Sequence, residues 1–280
     1  TTTTLGKELA VFISRVEREL VLIKEINLLA KFSGATGSYA AHKIAFPKVN
    51  WSVFSKKFIK QLGLEQSPIT TQVEPGDSLA GLLHSFVRIN NVFSDFSLDM
   101  WLYISRNIFV QKNVSGEVGS STMPHKINPI FFENAEGNLD VANNNFSFLA
   151  SRITKSRLQR DLSSSTVFRN LGVGFAHSFL SYKNLIKGIL RVSPNEKQLK
   201  KELDENWSVL AEAIQTILRK SGDINAYDKI KKLTRGKPLT KKLYLQIVND
   251  LKASKEDKEM LLQLTPHTYL GEIDKILENL

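Results

Sequence analysis

Cysteine is absent from the 280-residue chain, so disulfide bonds and zinc sites with cysteine ligands are excluded. The chain also lacks any apolar run near the ~20 residues that span a bilayer. Its first residues, TTTTLGKELA, lack the charged-then-apolar order of a signal peptide. A chain of this length buries a hydrophobic core without disulfides or metals. We therefore expect a soluble protein of the reducing cytoplasm.

Histidine is scarce as well, with five residues in the chain. Four of them, His42, His84, His177 and His267, are scattered over helical patterns without the spacing of metal ligands. Such residues are typical of a protein core or surface. The sequence predicts no metal ion and no cofactor.

Acidic residues are outnumbered by lysine and arginine, which gives a formal charge of +10. The basic residues thicken in the last third of the chain, where they alternate with apolar residues at helical spacing. This pattern is typical of the solvated face of a helix. A nucleic-acid surface is the alternative, but arginines interleaved with aromatic residues are not evident. Neither nucleic acid nor a membrane is a predicted partner.

Strand-like alternation is also missing, whereas apolar residues recur at helical spacing along most of the chain. The four longest predicted helices run from Leu5 toward Phe32, from Asp77 to Ile108, from Pro129 to Ile153 and from Ser164 to Val192. Asp77 and Asn128 are the predicted N-caps of the second and third helices. Long helices bury their apolar faces against one another, which predicts an all-α fold with an elongated bundle.

A domain boundary is predicted near residue 191. Ser193, Pro194 and Glu196 resemble a capping box with proline in the first turn of a new helix. The helical patterns beyond this point are shorter and more basic, the first running from about Asn195 to Ser221. We predict a long-helix bundle domain over residues 1–190 and a smaller helical domain over residues 191–280.

One loop breaks the helical pattern: residues 116–129, with the sequence GEVGSSTMPHKINP. Gly116 and Gly119 permit backbone motion, and Ser120 and Ser121 place hydroxyl groups near Lys126. The N-terminus of the following helix favours an anionic ligand. From these residues alone, a mobile lid that carries a nucleophile or base and a flexible surface loop are both possible interpretations.

A second polar segment, SRLQRDLSSSTVFRNLGVG, covers residues 156–174. Arg160 and Arg169 flank four hydroxyl-bearing residues at a predicted helix entrance, a combination that suits a phosphate group. The alternative is an ordinary N-cap with solvated arginines.

The loop segment GSSTMPHKINP resembles the Gly-Ser-Ser-x-Met-Pro-x-Lys-x-Asn-Pro motif of the fumarase/aspartase superfamily at every position. His125 within it is typical of the adenylosuccinate lyase branch, and residues 156–174 resemble the segment of that branch that binds the nucleotide phosphate. TTQVEP at residues 70–75 and GATGSYAAH at residues 34–42 are also similar to the branch, as are LTRGK and LTPHTYLG near the C-terminus. The resemblance covers essentially the whole chain.

The resemblance implies a role for individual residues. Ser120 corresponds to the general base, Glu133 to a residue that orients Lys126, and His125 to a supporting residue in the loop. The residues implied as substrate contacts are Gln72, Ser121, Lys126, Asn128, Asn134, Arg160, Ser165, Thr166 and Arg169.

The implied activity is β-elimination of fumarate from adenylosuccinate, to give AMP, and from the succinylcarboxamide ribotide of purine synthesis. The resemblance also implies a nucleotide substrate and a homotetramer with shared active sites. The family's general-acid histidine, within Thr-His-Gly-Gln-Pro-Ala, would precede residue 1, so the chain resembles a C-terminal portion that we expect to be inactive alone. Argininosuccinate lyase and a non-catalytic helical nucleotide-binding or interaction protein are the alternatives.

Overall fold

The computed structural model describes residues 2–112, 128–234 and 239–280. Helices dominate this part of the chain, and the predicted all-α class is confirmed. The strands within the described ranges are β1 Leu29–Ala30, β2 Glu65–Gln66, β3 Phe109–Gln111 and β4 Val192–Pro194. They form two two-stranded sheets, β1 with β2 and β3 with β4. No helix in the described ranges combines the length and apolarity needed to cross a membrane.

The chain divides into two compact units. The larger unit contains residues 12–105 and 111–192, and the smaller contains residues 1–11, 106–110 and 193–280. The smaller unit thus draws on two segments that precede the predicted boundary near residue 191. The division into domains 1–190 and 191–280 stays a prediction.

Three long helices form the core of the larger unit, and a fourth long helix, α1, begins in the smaller unit and continues in the larger one. The helices, in chain order, are α1 Leu5–Glu25, α2 Ala40–Ala45, α3 Trp51–Gln61, α4 Asp77–Ser105, α5 Ile130–Ile153, α6 Ser163–Phe168 and α7 Leu171–Leu190. Packing is closest where α5 lies against α4 and against α7. There Leu83, Phe146 and Leu149 have no exposed side-chain surface, and Phe175 meets Phe146 edge to face at 4.9 Å. Burial of these apolar side chains is the main stabilising contribution to the bundle.

Asn90, Ser178 and Tyr182 are polar residues inside this bundle that pair with one another. Asn90, fully buried, donates from Nδ2 to Ser178 Oγ at 2.9 Å, and its Oδ1 accepts from the Tyr182 hydroxyl at 2.5 Å. Burial raises the pKa of Tyr182 to about 12, so its phenol stays protonated as a donor. The pairing removes the cost of burying these groups and specifies which faces of α4 and α7 meet.

Several predicted helix ends are wrong. The first helix ends at Glu25 because residues 28–30 hydrogen-bond to β2 instead, with Glu65 N donating to Leu28 O at 3.0 Å. The fourth is interrupted between Phe168 and Leu171, which gives α6 and α7. The end of α1 at Glu25 is decided by backbone pairing between distant segments. The local periodicity of apolar residues does not predict such pairing.

The predicted caps also differ from the observed ones. The third long helix begins at Ile130, with Pro129 rather than Asn128 at the N-cap. Asp77 is the first helical residue of α4 rather than its cap. After residue 193, the cap is Asn195, whose side chain accepts from Gln198 N at 3.3 Å. Ser193 is taken up by β4, which leaves Asn195 to satisfy the free amide groups of the helix.

The smaller unit is built from short helices. They are α8 Glu196–Glu205, a 3₁₀ turn Trp207–Leu210, α9 Ala211–Lys220, α10 Ala226–Thr234, α11 Lys241–Asp250, α12 Lys255–Gln263 and α13 Ile273–Leu277. The predicted helix from Asn195 to Ser221 is thus broken at Asn206. Leu210, Ile214, Tyr244 and Val248 form the centre of this unit's core.

Asp257 on α12 links this helix to α9 in the smaller unit, and the stability of this unit therefore depends on pH. The carboxylate accepts from Lys220 Nζ at 2.6 Å. The hydrogen bond from Lys220 first, and then one from Ser254, holds the pKa of Asp257 below its usual range. A carboxyl group with a depressed pKa in the folded state stabilises the fold above its unfolded pKa, and this contribution is lost as the pH falls through the folded pKa.

We therefore expect Asp257→Asn to lower the urea midpoint at pH 7. The difference from wild type should shrink as the pH falls below ~3.9, the unfolded pKa of aspartate. Glu256→Gln is the matched control, since Glu256 is exposed in the same first turn of α12. Equal midpoints for Asp257→Asn and Glu256→Gln at pH 7 would contradict the prediction.

Candidate active site

The predicted site residues are divided between described and undescribed segments. Ser120, Ser121, His125 and Lys126 lie outside the described residues. The described members are Gln72, Asn128, Glu133, Asn134, Arg160, Ser165, Thr166 and Arg169. All of these described members belong to the larger unit.

Two of the predicted binding segments meet through their backbones. The amide N–H of Gln72 donates to the carbonyl of Gln159 at 3.2 Å. Gln159 directly precedes Arg160, so the segment 70–75 lies beside the arginine-containing segment 156–174. The local sequence does not predict this proximity, since 86 positions lie between the two glutamines.

A third segment, the turn at residues 34–42, packs against the same place. Gly37 has a φ of +74°, and a Cβ atom there would overlap the carbonyl oxygen of Thr70 and lie 2.9 Å from its carbonyl carbon. Ser33 Oγ and Thr70 Oγ1 are also within 3.1 Å of each other. Only glycine allows this approach, because any side chain would occupy the space of the Thr70 carbonyl group.

Lys31 holds these segments together and was not among the predicted site residues. Its Nζ donates to the carbonyls of Gly34 at 2.5 Å, Thr71 at 3.1 Å and Gln72 at 2.9 Å. Burial lowers the pKa of Lys31. The signal in the sequence is a single charged residue inside the apolar run of residues 28–32.

The hydroxyl-rich turn before α6 is organised by Asp161. Ser163 donates to Asp161 Oδ1 from its amide at 2.9 Å and from its hydroxyl at 2.5 Å. The hydrogen bond from the Ser163 hydroxyl is the largest cause that lowers the pKa of Asp161. Arg152 pairs with the same carboxylate at 3.6 Å. The negative charge within this turn is therefore already neutralised.

The predicted phosphate ligands surround this turn. Ser165 donates its hydroxyl to the Leu162 carbonyl at 2.8 Å and still has acceptor capacity. Thr166, Arg160 and Arg169 are exposed, and neither arginine forms an ion pair within the part of the chain that the structure describes. Two uncompensated guanidinium groups beside exposed hydroxyls favour an anionic ligand.

The remaining described members lie at the beginning of α5. Asn134 accepts at Oδ1 from Asn184 Nδ2 at 2.5 Å and from Asn138 Nδ2 at 3.1 Å. Glu133 accepts at Oε1 from Trp101 Nε1 at 3.0 Å. These bonds orient the beginning of α5, which starts two residues after Asn128.

The two groups of predicted site residues lie toward opposite ends of α5. A Cβ atom on Gly76, close in sequence to Gln72, would meet the carbonyl of Ile153 at 3.0 Å, at the last turn of the helix. Asn134 lies in its first turns. At ~1.5 Å per residue, Asn134 and Ile153 are roughly 30 Å apart along the axis. Within one chain, the structure does not bring Asn134 and Gln72 together.

Comparison with known families identifies relatives of both halves of the chain. Residues 1–142 match the family described as "Lyase", and residues 156–270 match "Adenylosuccinate lyase C-terminal". The adenylosuccinate lyase of Legionella pneumophila (strain Corby) is 47% identical over 271 residues, which are 97% of this chain and 59% of that protein. The adenylosuccinate lyase of Escherichia coli (strain K12) is 44% identical over 280 residues, which are 100% of this chain and 61% of that protein. The chain thus spans about three fifths of the length of these curated relatives.

Solved structures with the same fold are more distant in sequence. The 3-carboxy-cis,cis-muconate lactonizing enzyme from Pseudomonas putida matches with a TM-score of 0.75 and 21% identity, covering 99% of this chain and 63% of that chain. Fumarate lyase from Mesorhizobium sp. BNC1 matches with a TM-score of 0.74 and 16% identity, with the same coverage. At these identities the likeness establishes the fold and nothing finer.

Proposed function

This chain belongs to the lyase family of the fumarase/aspartase superfamily, and from that premise we propose that the full-length protein is an adenylosuccinate lyase of purine nucleotide synthesis in the cytoplasm. Its reaction is the release of fumarate from adenylosuccinate, which leaves AMP, and the same elimination from the succinylcarboxamide ribotide. The relatives named adenylosuccinate lyase, which align with 97–100% of this chain, are the observation that carries the proposal.

The proposed mechanism is a β-elimination in which a proton leaves carbon and the neighbouring C–N bond breaks. Ser120 takes the proton from the carbon beside a succinyl carboxylate, and the electron pair forms the double bond of fumarate. A general acid returns a proton to the departing nitrogen. Lys126 and Asn128 bind the succinyl carboxylates, and Lys126 stabilises the negative charge that develops as the proton leaves. Ser121 is a further substrate contact, His125 is a supporting residue, and Glu133 orients Lys126.

The other end of the substrate is proposed to bind where residues 70–75 and 156–174 meet. Arg160 and Arg169 bind the nucleotide phosphate with the hydroxyls of Ser165 and Thr166. Gln72 contacts the substrate from the adjoining segment. The exposure of both arginines and the neutralisation of Asp161 by Arg152 support this assignment.

A complete site is proposed to contain residues from more than one copy of the chain. Gln72 and Asn134 are both substrate contacts in this proposal, yet Asn134 lies in the first turns of α5 and the Gln72 segment lies near its last turn, and these turns are roughly 30 Å apart along the axis. One substrate molecule does not bridge that distance. The separation supports a homotetramer in which neighbouring subunits bring the two ends of α5 together.

The substrate is tested by fumarate release from the purified full-length protein. Adenylosuccinate and argininosuccinate are compared at equal concentrations, with fumarate followed by its absorbance. We expect turnover of adenylosuccinate alone. Turnover of argininosuccinate alone would show that the protein is an argininosuccinate lyase. Nucleotide binding without fumarate release would show that it is a non-catalytic nucleotide-binding protein.

The phosphate assignment predicts a selective loss of substrate affinity. Arg169→Gln removes a charge-assisted hydrogen bond, so we expect KM for adenylosuccinate to rise at least about tenfold, the equivalent of ~1.4 kcal/mol. We expect kcat to change much less, because the phosphate is remote from the bond that breaks. Lys155→Gln is the control, since Lys155 is an exposed cation of the same loop with no proposed role. Equal KM values for the two variants would remove Arg169 from the site.

A further inference from the structure

The ammonium group of Lys31 has a complete set of acceptors. A lysine carries three N–H donors, and here they meet three backbone carbonyls, those of Gly34, Thr71 and Gln72. No carboxylate forms an ion pair with Lys31 among the described residues. Burial lowers the pKa of the amine, which marks the group as partly removed from water. Hydrogen bonds of a charged donor are stronger in such surroundings.

Two of these bonds fix the backbone on both sides of Gln72. The carbonyl of Thr71 and the amide N–H of Gln72 belong to one planar peptide unit. Lys31 binds the oxygen of this unit, and the Gln159 carbonyl accepts from its N–H at 3.2 Å. The following peptide unit is held through the Gln72 carbonyl, again by Lys31. With both planes held, the direction of the Gln72 Cα–Cβ bond is fixed.

The third bond anchors Lys31 itself. Gly34 begins the turn that packs against Thr70, where Gly37 leaves no room for a side chain. Because Lys31 binds the Gly34 carbonyl at 2.5 Å, the ammonium group is tied to a turn that contacts the Gln72 segment. Lys31 therefore joins three segments that lie far apart in the sequence: residues 31–37, 70–72 and, through the Gln72 amide, residue 159.

We propose that Lys31 is a positioning residue, which aims the exposed side chain of Gln72 at the substrate beside Arg160. The substrate in this inference rests on the proposed function. The hold of Lys31 on the Gln72 backbone, which we call the clamp, rests on the hydrogen bonds of the Lys31 ammonium group. Lys31 acts through the backbone of Gln72 and does not touch the substrate. A fixed side chain at a binding site avoids the entropy cost of ordering it when substrate binds.

Lys31→Met in the full-length protein tests the clamp, because methionine retains the length of the side chain and removes every donor. Lys43→Met is the matched control, since the Lys43 ammonium also donates to a backbone carbonyl, that of Pro47 at 2.6 Å, and among the described residues it donates to neither Gln72 nor Gly34. Backbone amide exchange is measured at Gln72 by NMR, together with kcat/KM for adenylosuccinate. We expect Lys31→Met to accelerate exchange at Gln72 at least tenfold, to leave core amides of α5 unchanged, and to lower kcat/KM about tenfold relative to Lys43→Met.

A second variant keeps the test decisive if Lys31→Met does not fold. Lys31→Arg retains the charge but spreads its donors over a planar fork that does not match three converging carbonyls. We expect it to fold and to show faster exchange at Gln72 than wild type. Wild-type exchange at Gln72 in every folded variant would overturn the clamp, and faster exchange with unchanged kcat/KM would overturn its positioning role. If adenylosuccinate is not turned over at all, the proposed function fails, and amide exchange alone decides whether Lys31 holds Gln72.

Discussion

Ser120→Ala in the full-length protein is expected to reduce kcat for adenylosuccinate by at least ~10², while substrate affinity changes no more than a few-fold. The hydroxyl is proposed to take a proton only in the transition state, so its removal affects turnover rather than binding. A serine is a weak base unless its alkoxide is stabilised. The helix that begins at Ile130 supplies backbone amides and a positive dipole end just after the loop, and Lys126 supplies a positive charge.

Ser115→Ala is the control for this experiment, since Ser115 directly precedes the segment 116–129 in the sequence and lies outside the motif. Steady-state kinetics are measured by fumarate release, and affinity is measured separately by calorimetry with a non-reactive substrate analogue. We expect Ser115→Ala to match wild type in both. Turnover of Ser120→Ala close to wild type would remove Ser120 from the role of base and leave the lyase assignment to the substrate test.

Gly37→Ala is expected to cause the second large effect, because it adds an atom where no space exists. The new Cβ would overlap the Thr70 carbonyl, and the backbone of Gly37, at a φ of +74°, disfavours a side chain in any case. Relieving the overlap requires movement of Thr70, two residues before Gln72. We expect a loss of about 3 kcal/mol in the free energy of unfolding and a fall in kcat/KM of about 10².

Gly63→Ala isolates the cause of that effect. Gly63 has a nearly identical φ of +76°, but nothing lies within 4 Å of the position its Cβ would take. The two variants share the backbone penalty and differ only in the overlap with Thr70. Urea denaturation and the fumarate assay are applied to both. If Gly63→Ala is as destabilised and as inactive as Gly37→Ala, close packing against Thr70 is not the reason for glycine at position 37.

Predicted and observed structure agree best where local pattern decides the outcome. The stripes of apolar residues identify α4 and α5 to within a few residues, because a long amphipathic helix has one favourable way to bury its face. The end of α1 was not predictable in this way. Residues 28–30 continue the apolar pattern but pair with β2, and the partner strand lies more than thirty positions further along the chain.

The candidate site shows the same division. The polar segments at residues 70–75, 116–129 and 156–174 stand out in the sequence, since they interrupt helical periodicity with residues suited to bind anions. Lys31 stands out only as a charged residue in an apolar run, which does not reveal its function, because that function depends on three carbonyls from two separate loops. A backbone acceptor has no sequence signature, so a residue that binds only backbone is found from the folded chain.

By itself, the sequence determined the all-α class, the family and the residues of the proposed chemistry, since these depend on side-chain identity and spacing along the chain. Only the tertiary structure decided that Gln72 lies beside Arg160 and that Asn134 lies toward the other end of α5. It also decided that Lys31 joins the loops around Gln72. The physical reason is that these relations depend on distances between segments, which close packing and backbone hydrogen bonds set after the helices have formed.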